Sequence, residues 1–211
     1  MPRVPRLLAC ALLACCLLAG APASGAGEAV PEAAFERRSY APGETAELLV
    51  WRGSAQTVRV YRVGAAWHRA KRDALAGSSV TRASNVGGRR RIRLEVGEWP
   101  SGLYVARLHG AGGVGAAPFV VRPRRLGERR VAVVLPTNTW AAYNLRDVDG
   151  NGVGDSWYAS PEVRSVDLTR PFLDGGVPPR FAGYDRAFLR WLDLRRHRVD
   201  VLADDDLERV A

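Results

Sequence analysis

The chain has few cysteines and histidines, and both shortages exclude classes of protein. Its three cysteines, Cys10, Cys15 and Cys16, all lie within residues 1–26. Once that segment is removed, disulfides and thiolate metal sites are excluded. The three histidines stand far apart, at positions 68, 109 and 197, and neither H-E-x-x-H nor G-x-S-x-G occurs. Zinc-protease and serine-hydrolase chemistry therefore has no support.

The N-terminal segment predicts export. Residues 1–26 combine a short basic start at Arg3 and Arg6, an apolar run and small residues suited to cleavage. We therefore expect a cleaved signal peptide and a secreted or periplasmic protein. A lipobox ending at Cys10 or Cys15 is disfavoured, because either cysteine leaves an unusually short apolar run. Later in the chain no stretch approaches the roughly 18 apolar residues of a membrane span, so none is expected.

Arginine dominates the charge of the chain. The formal net charge is +9, and Lys71 is the only lysine. Arginines cluster at 89–91 and 122–130, beside predicted strands and in the predicted linker. Nucleic-acid binding would require a basic face interleaved with aromatic residues or a known reader fold. We therefore expect no nucleic-acid partner; solvated charge is the favoured explanation, and weak attraction of polyanions is the alternative.

Residues 27–122 show the period-two alternation of β-strands. The alternating segments are 45–51, 57–63, 91–96, 103–108 and 117–121. Turn signals separate them, which predicts an immunoglobulin-like or fibronectin-like β-sandwich with Tyr104 as a packing residue. The glycines of 110–115 match G-x-G-x-x-G, but a strand follows them instead of a helix. This predicts a hairpin loop and not a dinucleotide site.

The periodicity changes after a polar linker at 123–130. Residues 131–135 form a continuous apolar run, typical of a strand buried on both faces of a parallel sheet. Asp185 is a candidate N-cap for a helix that runs to about Arg196, and 199–202 is a second buried strand. The stripe expected to face the core comprises Ala187, Phe188, Trp191 and Leu192. Two strands and one helix cannot bury themselves, so we expect a truncated α/β domain over 131–211.

An oxygen-rich loop follows the first strand of this second domain. Its oxygens fall at positions 1, 3, 5, 7 and 9 of an EF-hand-like spacing, with Gly152 at position 6, which predicts calcium binding. The predicted ligands are the side chains of Asp147, Asp149, Asn151 and Asp155 and the carbonyl of Val153. Position 12 is Tyr158 where an EF-hand has glutamate, and Glu162 is an alternative donor. A solvated turn with carboxylates capping backbone N–H groups is the other interpretation.

The motifs around this loop are similar to those of a known family. They are V-L-P-T at 134–137, T-W-A-A-Y-N at 139–144, S-W-Y at 156–158, R-P-F at 170–172, F-L-R-W-L at 188–192, V-D-V at 199–201 and D-D-D-L at 204–207. Together they resemble the C-terminal domain of the N,N-dimethylformamidase large (beta) subunit and its secreted relatives. The resemblance covers roughly the last 80 residues and implies an amidotransferase-like α/β fold.

The resemblance also implies a metal site. In the amidase, two tyrosines and a glutamate hold a mononuclear iron that polarises an amide carbonyl or activates water. Tyr143 and Tyr158 match the tyrosine positions. The implied glutamate belongs to an H-x-E-Y-W-like segment beyond Ala211, so we expect this chain to be inactive unless a C-terminal extension or partner chain supplies it. Judged on its own residues, each tyrosine also fits a core residue with a hydrogen-bonded tip.

Two functions remain open at this point. In the first, the chain is an exported, metal-dependent hydrolase of the C–N bond in a small-molecule amide. In the second, it is a non-catalytic extracellular binding protein for an unknown ligand, and calcium stabilises its loop.

Overall fold

The computed structural model describes residues 27–64 and 72–209, so the predicted signal segment and its three cysteines lie outside the described residues. The strands are β1 (Glu32–Phe35), β2 (Ser39–Tyr40), β3 (Thr45–Arg52), β4 (Thr57–Val63), β5 (Gly77–Ser79), β6 (Ser84–Asn85), β7 (Arg91–Glu95), β8 (Gly102–Gly110), β9 (Gly113–Val121), β10 (Ala132–Leu135) and β11 (Asp200–Ala203). The helices are α1 (Thr137–Ala142), α2 (Phe181–Leu194) and α3 (Asp204–Leu207). The described chain is therefore mixed and rich in β-strands.

Two sheets pack face to face in the first part of the chain. One has the antiparallel order β1-β3-β7, and the other has the order β2-β9-β8-β4-β5 with β6 beside β4. Within the second sheet β2 runs parallel to β9, while the other pairs are antiparallel. The five predicted alternating segments are confirmed as β3, β4, β7, β8 and β9. Alternation places one side of each strand on the core between the sheets.

The core between these sheets is aromatic at its centre. The rings of Phe35 and Phe119 lie 4.4 Å apart between centroids, and Tyr104 packs 5.9 Å from Phe119. Tyr104 is fully buried, and its hydroxyl donates a hydrogen bond of 2.7 Å to the carbonyl of Pro100. Its predicted packing role is confirmed. The predicted hairpin loop is confirmed too, since β8 and β9 pair up to Gly110 and Gly113.

The outer face of the larger sheet is covered by the last part of the chain. Strands β10 and β11 form a parallel pair, as predicted, with Leu135 opposite Ala203. A second apolar cluster joins the sheet to this pair and to α2. It includes Leu103, Val105 and Val120 from the sheet and Leu135, Phe181, Leu189 and Val201 from the covering layer. The covering layer therefore buries its apolar residues on the neighbouring sheet, which compensates for its own small size.

Three details of the predicted α/β layer are wrong. The first strand is not buried on both faces, because Val131 is 56% exposed and Val134 is 38% exposed. Asp185 does not cap α2, which begins four residues earlier after Arg180 in the left-handed conformation (φ 63°). The predicted stripe is also rotated, since Phe188 and Trp191 are each 47% exposed. The buried residues of α2 are Phe181, Leu189 and Leu192.

Buried polar contacts tie the covering layer to the two-sheet part. The hydroxyl of Ser39 donates to the Asp206 carboxylate at 2.5 Å. The backbone N–H of Val201 donates to the hydroxyl of Ser101 at 2.7 Å, and that hydroxyl donates back to the Val201 carbonyl at 3.1 Å. These contacts fix the start of β8 beside β11.

Within residues 27–64 and 72–209, no helix is long and apolar enough to cross a membrane.

Candidate functional site

The carboxyl ends of β10 and β11 meet at one edge of the covering layer. In parallel sheets this edge is where ligand sites form. Here the backbone N–H of Asn138 donates to the Asp204 carboxylate at 2.7 Å, and the Asp204 N–H donates to the Thr137 hydroxyl at 3.1 Å. These bonds lock the start of α1 to the end of β11.

Helix α1 carries the chain from this edge to Tyr143, its C-cap residue. Trp140 is buried, and its indole N–H donates to Asp185 on α2 at 3.0 Å. Burial raises the pKa of the Asp185 carboxyl, and the hydrogen bond from Trp140 opposes that rise. Asp185, the predicted N-cap, therefore anchors α2 against α1 instead.

The structure brings the two predicted tyrosines together. The rings of Tyr143 and Tyr158 are stacked, with centroids 4.4 Å apart and planes 13° from parallel. Tyr143 is half-buried, whereas Tyr158 is 63% exposed. The guanidinium of Arg180 lies 4.4 Å from the centroid of the Tyr143 ring. Two phenols and a cation thus share one surface position, although the sequence separates Arg180 from both.

Ser156 holds the second tyrosine in place. Its side chain is fully buried, and its hydroxyl donates a short hydrogen bond to the Ala142 carbonyl at the end of α1. The same oxygen accepts the backbone N–H of Tyr158 at 3.2 Å. Ser156 is part of the S-W-Y motif, so the motif has a structural explanation: it ties the far end of the loop to α1.

The R-P-F motif forms hydrogen bonds with the end of α1 and with the start of the same loop. Arg170 is 2% exposed, and its guanidinium donates to the carbonyls of Asp167, Arg146 and Ala141 at 3.0, 3.1 and 3.3 Å. The Pro171 carbonyl accepts a hydrogen bond of 3.1 Å from the Asn144 amide. The motif therefore links the end of α1 to the turn that follows it, in addition to the backbone N–H groups of Asn144 and Asp155 that the Ala141 and Arg146 carbonyls accept.

Three of the predicted calcium ligands lie close together. Carboxylate oxygens of Asp147, Asp149 and Asp155 all lie within 4.8 Å of one another. Gly150 and Gly152 adopt φ angles of 75° and 84°, which curl the backbone around the carboxylates. Neither Glu162 nor any other acidic or histidine side chain of the described residues joins this group.

Backbone N–H groups fill part of the space between these carboxylates. Gly152 donates to Asp147 at 2.8 Å and Gly150 donates to its other oxygen at 2.7 Å, which holds the pKa of Asp147 below its usual range, with Gly152 the larger cause. The Asn151 side-chain oxygen accepts the N–H of Val153 at 2.7 Å. These are the contacts of the turn-capping interpretation, so calcium would have to compete with them.

A buried arginine beside the R-P-F motif was not identified from the sequence. Arg38 is 7% exposed, and its Nε and Nη2 have no hydrogen-bond partner. Its guanidinium lies 5.1 Å from the ring centroid of Phe172. Burial lowers the pKa of Arg38 to about 10, although Asp205 and Asp167 oppose the change. No periodicity or motif marks this residue, since its burial depends on the covering layer.

Fold and site together define a β-rich mixed protein with a tyrosine pair and an oxygen-rich loop beside a parallel strand pair. The chain belongs to the family described as N,N-dimethylformamidase beta subunit-like, C-terminal, whose model matches residues 46–211. The family predicted from the motifs is thus confirmed. The match begins in β3, so it extends well beyond the last 80 or so residues that carry the motifs.

Other comparisons are weaker. Among curated proteins, none matches the chain. A cycloisomaltooligosaccharide glucanotransferase structure from Paenibacillus sp. is 15% identical, with a TM-score of 0.30 over 52% of this chain and 16% of that protein. The superoxide reductase (neelaredoxin) of Ignicoccus hospitalis is 14% identical, with a TM-score of 0.27 over 50% of this chain and 89% of that one. Both TM-scores are too low to indicate a shared fold.

Proposed function

We propose that the chain is part of an exported, N,N-dimethylformamidase-like protein that hydrolyses the C–N bond of a small-molecule amide with the help of iron, and that it is active only where a further segment or a partner chain supplies the implied glutamate. The observation that carries the proposal is the stacked pair of Tyr143 and Tyr158 beside the C-terminal edge of β10 and β11. Membership of the family supports it, because the family's name is that of an amide hydrolase.

The residues present fit part of the implied iron site. Two phenol side chains lie side by side, and phenolate oxygen is a hard donor suited to ferric iron. The guanidinium of Arg180 lies 4.4 Å from the Tyr143 ring centroid and places a cation beside the two phenols. When bound, iron would act as a Lewis acid on the amide carbonyl or on a water molecule. In this proposal Tyr143 and Tyr158 hold the metal, and Ser156 keeps Tyr158 in position.

Iron content and absorption test this proposal. We expect the purified full chain to retain near-stoichiometric iron after dialysis, measured by inductively coupled plasma mass spectrometry, and to show a visible tyrosinate-to-iron band. The Tyr143→Phe variant should lose both. Tyr61→Phe, which removes a half-buried phenol on β4, is the matched control and should keep both. Release of dimethylamine from N,N-dimethylformamide then tests hydrolysis. An iron-free wild-type chain, or a band that survives Tyr143→Phe, contradicts the proposal.

The alternative function is a non-catalytic extracellular binding protein with a calcium-stabilised loop. The grouping of Asp147, Asp149 and Asp155 within 4.8 Å favours it. Three carboxylates in such a small volume repel one another, and a divalent cation offsets that repulsion. Asn151 and the Val153 carbonyl would complete the protein ligands. Calcium and iron occupy different residues, so the two proposals do not exclude each other.

Thermal unfolding with and without calcium tests the alternative. We expect calcium to raise the Tm of the wild-type chain and to leave the Tm of Asp149→Asn nearly unchanged. Asp174→Asn is the control, since Asp174 is an exposed acid outside the cluster. If wild type and Asp149→Asn respond alike, the loop does not bind calcium.

We propose that the two-sheet part is an immunoglobulin-like or fibronectin-like sandwich, and that the covering layer is the beginning of an amidotransferase-like α/β domain. The strand orders β1-β3-β7 and β2-β9-β8-β4-β5 support the first assignment, because an immunoglobulin-type sandwich packs two mainly antiparallel sheets of this kind face to face. The parallel pair β10 and β11 supports the second.

A further inference from the structure

A cleft of about 530 Å³ lies at the start of β11, and neither tyrosine of the stacked pair lines it. It opens between the start of β11, the C-terminal end of α2 and the linker at 123–130. Its apolar wall comprises Trp99, Leu103, Leu189, Leu192 and Val199. Small-molecule sites typically measure about 300–1,000 Å³ and often lie between structural units. The cleft is therefore large enough to hold a compact ligand.

Two basic runs of the sequence converge on this cleft. One is the linker, which has five arginines within residues 122–130, and the other is the turn between α2 and β11, which has three arginines within 195–198. Arg124 and Arg129 from the first run and Arg198 from the second line the opening, together with Arg62 of β4. The fold thus concentrates charges that the sequence keeps more than sixty residues apart.

Ion pairs neutralise only some of these arginines. Arg62 lies 3.6 Å from Asp193, and Arg124 pairs with Glu98. Within residues 27–64 and 72–209, by contrast, no acidic side chain pairs with Arg129 or Arg198.

A buried acid that lines the cleft is already engaged. Asp200 is buried, and its carboxylate accepts the backbone N–H of Arg129 at 3.0 Å. Arg62 also lines the cleft, and its Nε is buried and has no hydrogen-bond partner. Donors without acceptors therefore stand at the rim and inside the cleft.

We propose that this cleft binds a small organic anion, namely a compact carbon skeleton that carries two or more carboxylate or phosphate groups. Arg129 and Arg198 contact the anionic groups, because a guanidinium presents paired N–H donors that match carboxylate and phosphate oxygens. The carbon skeleton packs against the apolar wall. Two exposed cations alone would hold an ion weakly, and the wall supplies the additional contact area.

Isothermal titration calorimetry of the full chain tests this site with two probes, citrate for carboxylates and fructose 1,6-bisphosphate for phosphates. The protein is first treated with a chelator, so the result does not depend on iron or calcium. We expect at least one probe to bind at low salt and more weakly at high salt. The double variant Arg129→Gln/Arg198→Gln should bind about tenfold more weakly, since two exposed ionic contacts are lost.

A matched variant controls for net charge. Arg82→Gln/Arg89→Gln removes two exposed arginines of the two-sheet part that line no part of this cleft, and it should bind like the wild type. Hydrogen exchange of the wild-type chain gives a second measurement, with ligand-dependent protection expected at residues 122–130 and 195–201. The proposal is overturned if neither probe binds with a Kd below about 10 mM. It is also overturned if the control variant loses as much affinity as the cleft variant. Ligand-dependent protection that appears only outside residues 122–130 and 195–201 would overturn it as well.

Discussion

Replacing the buried Arg38 with methionine should stabilise the protein. Burial lowers the pKa of this guanidinium from its ordinary value to about 10, a change of more than two units. Each pKa unit corresponds to about 1.4 kcal/mol, so keeping Arg38 charged costs roughly 3 kcal/mol at neutral pH. The charge destabilises the folded state because the unfolded chain binds this proton more tightly than the folded chain does. The cost is complete below pH 10 and falls as the pH rises toward the unfolded value.

Methionine preserves most of the volume and contacts the Phe172 ring through its sulfur. The variant loses the cation–π contact with Phe172, which offsets about 1 to 2 kcal/mol of the gain. The attraction of Asp205 and Asp167 is already contained in the lowered pKa. We therefore expect Arg38→Met to raise the free energy of unfolding by about 1 to 2 kcal/mol at pH 7.

Arg170→Met is the matched comparison, because Arg170 is equally buried but donates to three backbone carbonyls. Its loss removes three charge-assisted hydrogen bonds and leaves the Asp167 carbonyl without a donor, while the Ala141 and Arg146 carbonyls keep the backbone N–H groups of Asn144 and Asp155. We therefore expect destabilisation by about 3 kcal/mol. Urea unfolding followed by tryptophan fluorescence measures both variants, with the slope of the free energy against urea as a check on two-state behaviour. If Arg38→Met destabilises the protein by more than about 1 kcal/mol, the reasoning about unpaired buried donors is refuted.

Two further predictions concern contacts between the larger sheet and its covering layer, and a third concerns the oxygen-rich loop. Ser101→Ala removes both hydrogen bonds to Val201 and should lower the free energy of unfolding by about 1 to 2 kcal/mol in urea; an unchanged midpoint would contradict this. Gly176→Ala should destabilise the chain more strongly, because the added Cβ overlaps the Ala116 carbonyl and Gly176 has a φ of 88°; a thermal melt like that of the wild type would rule out this close approach. Without calcium, the pKa of the Asp147 carboxyl should lie below its unfolded value of about 3.9. The loop contacts therefore persist above that pH and are lost as the pH falls through the folded pKa. An NMR titration that shows an unshifted pKa for this carboxyl would contradict the prediction.

Strands with one buried face were predictable from the sequence. In β7 the burial of Ile92 between exposed Arg91 and Arg93 follows directly from the period of two. The short strands β1 and β2 contain four and two residues, too few to show that period. Their strand conformation depends on partners elsewhere in the chain, so no local pattern marked them.

The face of α2 illustrates why helix packing is harder to predict. The large aromatic residues Phe188 and Trp191 formed the most apolar stripe, yet they remain half exposed. The face that packs inward carries Phe181, Leu189 and the acidic Asp185. An acid on a buried face is tolerated only because the Trp140 indole donates to it. That partner comes from another helix and is invisible in the α2 sequence.

The residues of the candidate site were likewise only partly predictable from the sequence. Local spacing identified the carboxylates of Asp147, Asp149 and Asp155, because a curled loop of alternating oxygens brings them together whatever surrounds it. Arg180 was missed, since its place over Tyr143 depends on how α2 packs against α1. The predicted iron and calcium ligands stay predictions until a metal is measured.

The apolar outer face of the larger sheet limits how this protein can be divided for study. A fragment that ends near residue 122 would leave Leu103, Val105, Ala116 and Val120 facing water in one continuous patch. Patches of that kind promote aggregation. The sheet and its cover should therefore be expressed as one piece, and they should melt in a single cooperative transition. A binding or activity assay on an isolated sheet fragment would report non-specific adsorption to an apolar surface that is buried in the intact protein.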